Sequence, residues 1–164
     1  MVSLAVLNAL PAADAETHFR SCCGSSRWVT TMISARPFAT AAELVVAADA
    51  AWASTTRQDW FEAFAAHPRI GERTIEAEAR AEQHRVTESA AATKAALADL
   101  NAVYERRFGW IYIVCASGRS GEELIEDLRS RLDNPPEREL AVAAAEQHRI
   151  TRLRLGKLIG AEAS

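Results

Sequence analysis

One run in this chain reads as a β-strand, Trp110-Ile111-Tyr112-Ile113-Val114-Cys115-Ala116, and no second run is present to pair with it. It is β-branched and aromatic and is bounded by Gly109 and Gly118. A lone strand leaves two readings open, an extended buried segment or a strand in a sheet. Either way, a large sheet is excluded. Composition points the same way: 34 of the 164 residues are alanine, against 7 glycines and 5 prolines. Alanine is the strongest helix former and a poor strand former. The expected fold is all-α: a single-domain multi-helix bundle of about eight helices, with one short extended segment near 110–116.

The helix punctuation is frequent. Pro11 follows an apolar turn and opens a helix running to Cys22-Cys23, with Gly24 as its stop. Ser25 or Ser26 caps the next, from Trp28 to Ala35. Thr40-Ala41-Ala42-Glu43 is a capping box for a helix through Ala53. Thr55-Thr56-Arg57-Gln58 is a similar box before Trp60, Phe61 and Phe64. That helix is expected to finish at His67, because Pro68 disfavours helical geometry in the residue before it. A helix is expected from about Ile75 to Gln83. Thr87 or Ser89 caps a long one that Gly109 ends. Ser120-Gly121-Glu122-Glu123 opens a helix through Leu132, and Asn134-Pro135-Pro136-Glu137 opens the last, to about Ile159. No linker divides the chain, so residues 1–164 are expected to form one domain.

Composition narrows the function classes. Net charge is −3 and pI about 5.8, which argues against nucleic-acid binding. No apolar run approaches the roughly 20 residues of a membrane span. The first residues lack a basic n-region, and the last match no retention or lipidation signal. Three cysteines, two of them adjacent (Cys22, Cys23, Cys115), do not form a disulfide framework. A cytoplasmic protein is expected. Glu82/His84 and Glu146/His148 are two residues apart, so on a helix they point about 200° away from each other. No HExxH is present, and no metal site is expected.

Three groups of residues could carry chemistry. In His67-Pro68-Arg69-Ile70-Gly71, His67 sits at a helix C-terminus, where partial negative charge favours the imidazolium. It reads either as a helix cap or as a general acid–base held by a proline-pinned turn. Glu82-Gln83 follows, readable as a solvated pair or as part of a site. Arg152-Leu153-Arg154-Leu155 alternates cations with apolar residues on the last helix. If both leucines are core, one arginine faces inward and needs an anionic partner, a carboxylate or a ligand.

Together these residues resemble the 2-oxo-4-hydroxy-4-carboxy-5-ureidoimidazoline (OHCU) decarboxylases of urate degradation. The likeness covers most of the chain. His67-Pro68-Arg69-Ile70-Gly71 is similar to the family signature, and Glu82-Gln83 to the pair that follows it. Leu7-Asn8-Ala9-Leu10, Cys22 to Trp28, Leu100 to Gly109, Gly118-Arg119-Ser120 and Arg152 to Leu155 resemble the remaining motifs in order. The resemblance implies an all-helical carboxy-lyase, usually a homodimer, with no metal or organic cofactor. It makes His67, Glu82 and Arg154 catalytic, with Arg154 rather than Arg152 reaching the ligand. Pro68 and Gln83 line the site, and backbone around Ile111 and Ile113 contacts the substrate ring. Two departures stand out. Ala79 occupies the place of a family serine, and Phe108-Gly109-Trp110-Ile111-Tyr112 replaces Phe-Gly-Phe-Pro-Phe. The competing reading is a non-catalytic helical ligand-binding or regulatory domain, with His67 as a cap and Arg154 in an internal ion pair.

Overall fold

The computed structural model describes residues 1–69 and 87–160. These hold eight helices: α1 (Leu4–Ala9), α2 (Ala12–Cys22), α3 (Ser26–Ser34), α4 (Ala41–Ala53), α5 (Arg57–Ala65), α6 (Thr87–Phe108), α7 (Gly121–Leu132) and α8 (Pro136–Ile159). The segment after Trp110 is extended and, among the described residues, no strand pairs with it. The all-α expectation holds. The helix expected over 75–83 lies outside the described residues. Contacts divide the chain into two compact units. One is Met1–Ala66 with Ala144–Ser164, the other His67–Ala143.

The first unit is built on α3. Ser25 accepts a hydrogen bond from the Trp28 N–H at 3.2 Å and so starts the helix. Trp28 is fully buried. Its indole N–H donates to the Ala48 carbonyl in α4 at 3.1 Å, so its polar end is satisfied inside the core. Phe19 of α2 packs edge-on against both Trp28 and Phe38. Asn8 exchanges two hydrogen bonds with the Phe38 backbone, at 2.8 and 2.9 Å, fixing the chain after α3 against α1.

α3 spans Ser26–Ser34 rather than Trp28 to Ala35, and three further boundaries differ from the sequence expectation. The box that opens α5 is Thr56 with Asp59, one residue later than predicted, since Asp59 accepts from both the Thr56 N–H and its hydroxyl. The helix ends at Ala65 rather than His67, with Ala66 as its cap. The last helix begins at Pro136, and the Asn134 side chain donates to Glu139 rather than capping the first turn.

The second unit is organised by a buried ion pair. Glu139 is fully buried and Arg131 is 5% exposed. Arg131 donates to Glu139 through Nε at 2.8 Å and Nη2 at 2.5 Å, and through Nη1 to the Ile113 carbonyl at 2.8 Å. The Tyr104 hydroxyl donates to the same carboxylate at 2.5 Å, and Asn134 Nδ2 to its other oxygen at 2.7 Å. Burial alone would favour a neutral guanidine, but hydrogen bonding to Glu139 holds the Arg131 pKa above its usual value. Leu97, Tyr104, Phe108, Tyr112, Val114, Leu124 and Leu128 form the apolar core of this unit. Breaking such a pair from one side strands a buried charge. We expect Arg131→Met to lower stability by about 3–5 kcal/mol in urea unfolding. Arg119→Met, which removes a partly exposed partner of Asp127, should stay within about 1 kcal/mol. Similar small losses from both would refute the organising role of the buried pair.

Candidate active site

The turn from Cys22 to Arg27 is the fixed point of the first unit. A Cβ added to Gly24 would overlap the Ala66 Cβ and press on the Ala63 backbone. Gly24 is therefore a glycine for space: it lets the end of α5 lie directly on the turn, which revises its predicted role as a helix stop. α5 presents one face to this turn, Asp59, Glu62, Ala63 and Ala66, at the spacing of a helical stripe. Glu62 accepts from the Ser26 N–H at 2.9 Å and from the Ser26 hydroxyl at 2.5 Å. Asp59 takes Arg27 Nε at 3.0 Å. The Thr56 N–H and hydroxyl, with Arg27, hold its carboxyl below the usual range despite the opposing, largest contribution from desolvation. The chain leaves α5 through Ala66 straight into His67, which is half-buried, while Pro68 and Arg69 are exposed. Arg69 forms a two-pronged ion pair with Glu105 of α6, at 2.7 and 2.9 Å.

Arg154 approaches the same turn from α8. Its Nη1 donates to the Cys22 carbonyl at a long 3.5 Å. Among the described residues no carboxylate pairs with it. Leu155 is fully buried and Leu153 half-buried, so Arg154 is the arginine turned inward. Arg152 is on the outer side, 53% exposed, with Nη1 3.7 Å from Asp49. Asp49 also bonds His148 Nε2 at 2.8 Å. A half-buried guanidinium with one long hydrogen bond and no carboxylate partner among the described residues is suited to an anionic ligand. Its charge opposes, without overcoming, the desolvation that pushes the Cys22 thiol up to about 11 and raises Cys23 as well. Both thiols are buried and, being un-ionised near neutral pH, are poor nucleophiles.

Of the other predicted site residues, Glu82 and Gln83 lie outside the described residues, as does Ala79. Ile111 is half-buried, and the Ile113 side chain is core. The Ile113 carbonyl is held by Arg131, so the backbone that the resemblance assigns to the substrate is anchored by the buried ion pair. The aromatic departures also find partners. The Trp110 indole donates to the Tyr104 hydroxyl at 3.2 Å, and the Tyr112 hydroxyl donates to Asp127. Each adds a donor where a phenylalanine has none, and each donor is satisfied. Glu62 was missed, because its partner Ser26 is 36 residues away and no local pattern joins them. Among the described residues no group of three His, Cys, Asp or Glu side chains converges as a metal site would need.

The sequence profile described as OHCU decarboxylase matches residues 8–156. The chain belongs to the OHCU decarboxylase family. It is 36% identical over 156 residues to the uric acid degradation bifunctional protein TTL of Arabidopsis thaliana, covering 90% of this chain and 48% of that protein. The chain thus spans about half the length of that relative. It is 27% identical to 2-oxo-4-hydroxy-4-carboxy-5-ureidoimidazoline decarboxylase of Haloferax volcanii, over 84% of each chain. A crystal structure of OHCU decarboxylase in the presence of (S)-allantoin is 37% identical and superposes with a TM-score of 0.75, over 87% of this chain and 96% of that one. The family match spans His67, Glu82 and Arg154.

The inward turn of Arg154 gives a direct comparison within one helix. We expect Arg154→Lys to lower kcat/KM at least tenfold, about 1.4 kcal/mol, because a compact ammonium cannot reproduce the planar fork. Arg152→Lys should change it by no more than about 0.5 kcal/mol. Steady-state kinetics on both variants checks this, and the opposite ranking would move the site to the Asp49 side of α8.

Proposed function

We propose that this chain decarboxylates 2-oxo-4-hydroxy-4-carboxy-5-ureidoimidazoline to (S)-allantoin. The observation that carries the reading is Arg154, turned into the protein without a carboxylate partner among the described residues, in a chain matched by the family over 8–156. An anionic substrate supplies the missing charge.

The chemistry needs few groups. The substrate carbon that loses CO2 carries a hydroxyl, and the neighbouring ring carbon carries the ureido group and a C=N bond. As the carbon–carboxylate bond breaks, its electron pair forms a C=C bond, and the C=N electrons move to nitrogen, which takes a proton. The hydroxyl then gives up its proton and becomes a carbonyl, while the ureido-bearing carbon takes one. Protonation on one face yields one enantiomer. The electron sink is thus inside the substrate.

In this reading His67 exchanges the hydroxyl proton, a task suited to an imidazole near neutral pH. Glu82 accepts hydrogen bonds from the ureido N–H groups, since an ionised carboxylate is an acceptor only. Arg154 stabilises the oxyanion that develops as the hydroxyl proton leaves. Gripping the departing carboxylate instead would favour the ground state and slow the step. Pro68 and Gln83 line the pocket, and the 111–113 backbone borders the ring. The protein acts without a cofactor as a cytoplasmic homodimer, a reading supported by the family resemblance. Among the described residues no helix is long and apolar enough to cross a membrane.

Freshly generated substrate, followed by circular dichroism, tests the activity, because spontaneous decay gives racemic allantoin and catalysis gives an optical signal. We expect that signal from the wild-type protein. We expect His67→Asn to keep its melting temperature to within a few degrees while losing about 10²–10⁴-fold in rate. Racemic product from folded wild type would favour a non-catalytic ligand-binding domain. Full activity in His67→Asn would leave the histidine as a helix cap.

A further inference from the structure

The stripe of α5 that rests on the Cys22–Arg27 turn has a graded construction. Near the start of the helix, Asp59 is tied both to its own cap and to Arg27. Near the end, Ala63 and Ala66 meet Gly24 without any polar contact. Between them, Glu62 is the last polar tie before the chain passes through Ala66 into His67. Its carboxylate takes both the backbone N–H and the hydroxyl of Ser26, the first residue of α3. That backbone N–H is one of those a helix leaves without an internal partner, and a carboxylate there also opposes the positive end of the helix dipole. Arg20 adds a long contact to the same hydroxyl at 3.5 Å and is itself paired with Glu16 at 2.8 Å. The interaction is therefore directional and charge-assisted, and it acts one helical turn before the end of α5.

We propose that Glu62 is a positioning residue for His67. By holding α5 on the first turn of α3, it fixes where α5 ends, and with it the backbone from which the imidazole projects. Gly24 provides the space and Glu62 the lateral register. The turn that receives α5 is also the one whose Cys22 carbonyl meets Arg154. A slip of α5 therefore moves the backbone that leads directly into His67. Displacements of about 1 Å from a productive geometry can cost about 10²-fold in rate. The effect should fall on turnover rather than on substrate binding. This proposal rests on the catalytic reading of His67.

Three variants test it: Glu62→Ala removes both bonds, Glu62→Asp keeps the charge one methylene short, and Glu62→Gln keeps an acceptor of the same reach. His67→Asn is measured beside them. We expect Glu62→Ala to lower kcat at least tenfold with KM within threefold, and Glu62→Asp to lower it three- to tenfold. Glu62→Gln should stay within threefold of wild type. The His67 ring resonances in proton–carbon spectra should shift in Glu62→Ala and Glu62→Asp, and much less in Glu62→Gln. If His67→Asn abolishes turnover but Glu62→Ala and Glu62→Asp keep kcat per folded molecule and His67 shifts unchanged, the positioning role is wrong. A melting temperature lowered alone would be that result. If His67→Asn itself retains turnover, the reading of His67 fails instead, and the ring shifts still report whether Glu62 sets its place.

Discussion

The closeness of Gly24 to Ala66 is the constraint on which the candidate site depends. Only a residue without a Cβ lets α5 rest its C-terminal end on the Cys22–Arg27 turn. Once it does, Asp59 and Glu62 are in reach of Arg27 and Ser26, and the polar ties follow. The same turn offers the Cys22 carbonyl to Arg154. One short stretch of backbone thus receives the end of α5 and accepts the long hydrogen bond from Arg154. Arg154 is thus carried on a regular element, α8, and His67 directly follows the end of another, α5.

The second unit answers a different difficulty. An extended segment without a sheet leaves backbone groups to be satisfied by other means. Arg131 meets part of that need by donating to the Ile113 carbonyl while paired with Glu139. The Tyr112 and Tyr104 rings lie beside the guanidinium, with centroids 4.7 and 5.9 Å from its carbon. Burial, then the hydrogen bond to Glu139, raises the Tyr104 pKa, which keeps the hydroxyl protonated and donating. One Glu139 oxygen accepts from Arg131 and Tyr104 and the other from Asn134, so neither is left unpaired in the interior.

Much of this was legible in the sequence because helix ends are written locally. Ser120 and Glu123 form the reciprocal box their spacing predicts. Gly109 closes α6 with a positive φ of 86°, a conformation that favours glycine. The alternation in Arg152 to Leu155 implied one inward arginine if both leucines were core; Leu155 is buried, Leu153 is half-buried, and Arg154 is less exposed than Arg152. What escaped was long-range. Glu139 lies in the first turn of α8, yet its partners Tyr104 and Arg131 make it core. Gly24 reads as a stop, yet its role depends on Ala66. The Thr55 hydroxyl is engaged elsewhere, donating to the Trp52 carbonyl and accepting from the Trp60 indole, and Thr56 with Asp59 forms the box instead. Glu82 and Gln83, assigned by resemblance, lie outside the described residues. The dimer, the cellular compartment and the single-domain reading rest on the sequence.

The proposed function turns on the ligand role of Arg154, set against Arg152 and His148, which are held on Asp49. Titration of (S)-allantoin into isotope-labelled protein, followed through arginine guanidinium and histidine ring resonances, tests it most directly. Assignments come from Arg154→Lys, Arg152→Lys and the corresponding histidine variants. We expect saturable shifts at Arg154 and His67, with Arg152 and His148 unmoved on Asp49. Saturable shifts at Arg152 and His148, with Arg154 and His67 silent, would contradict it.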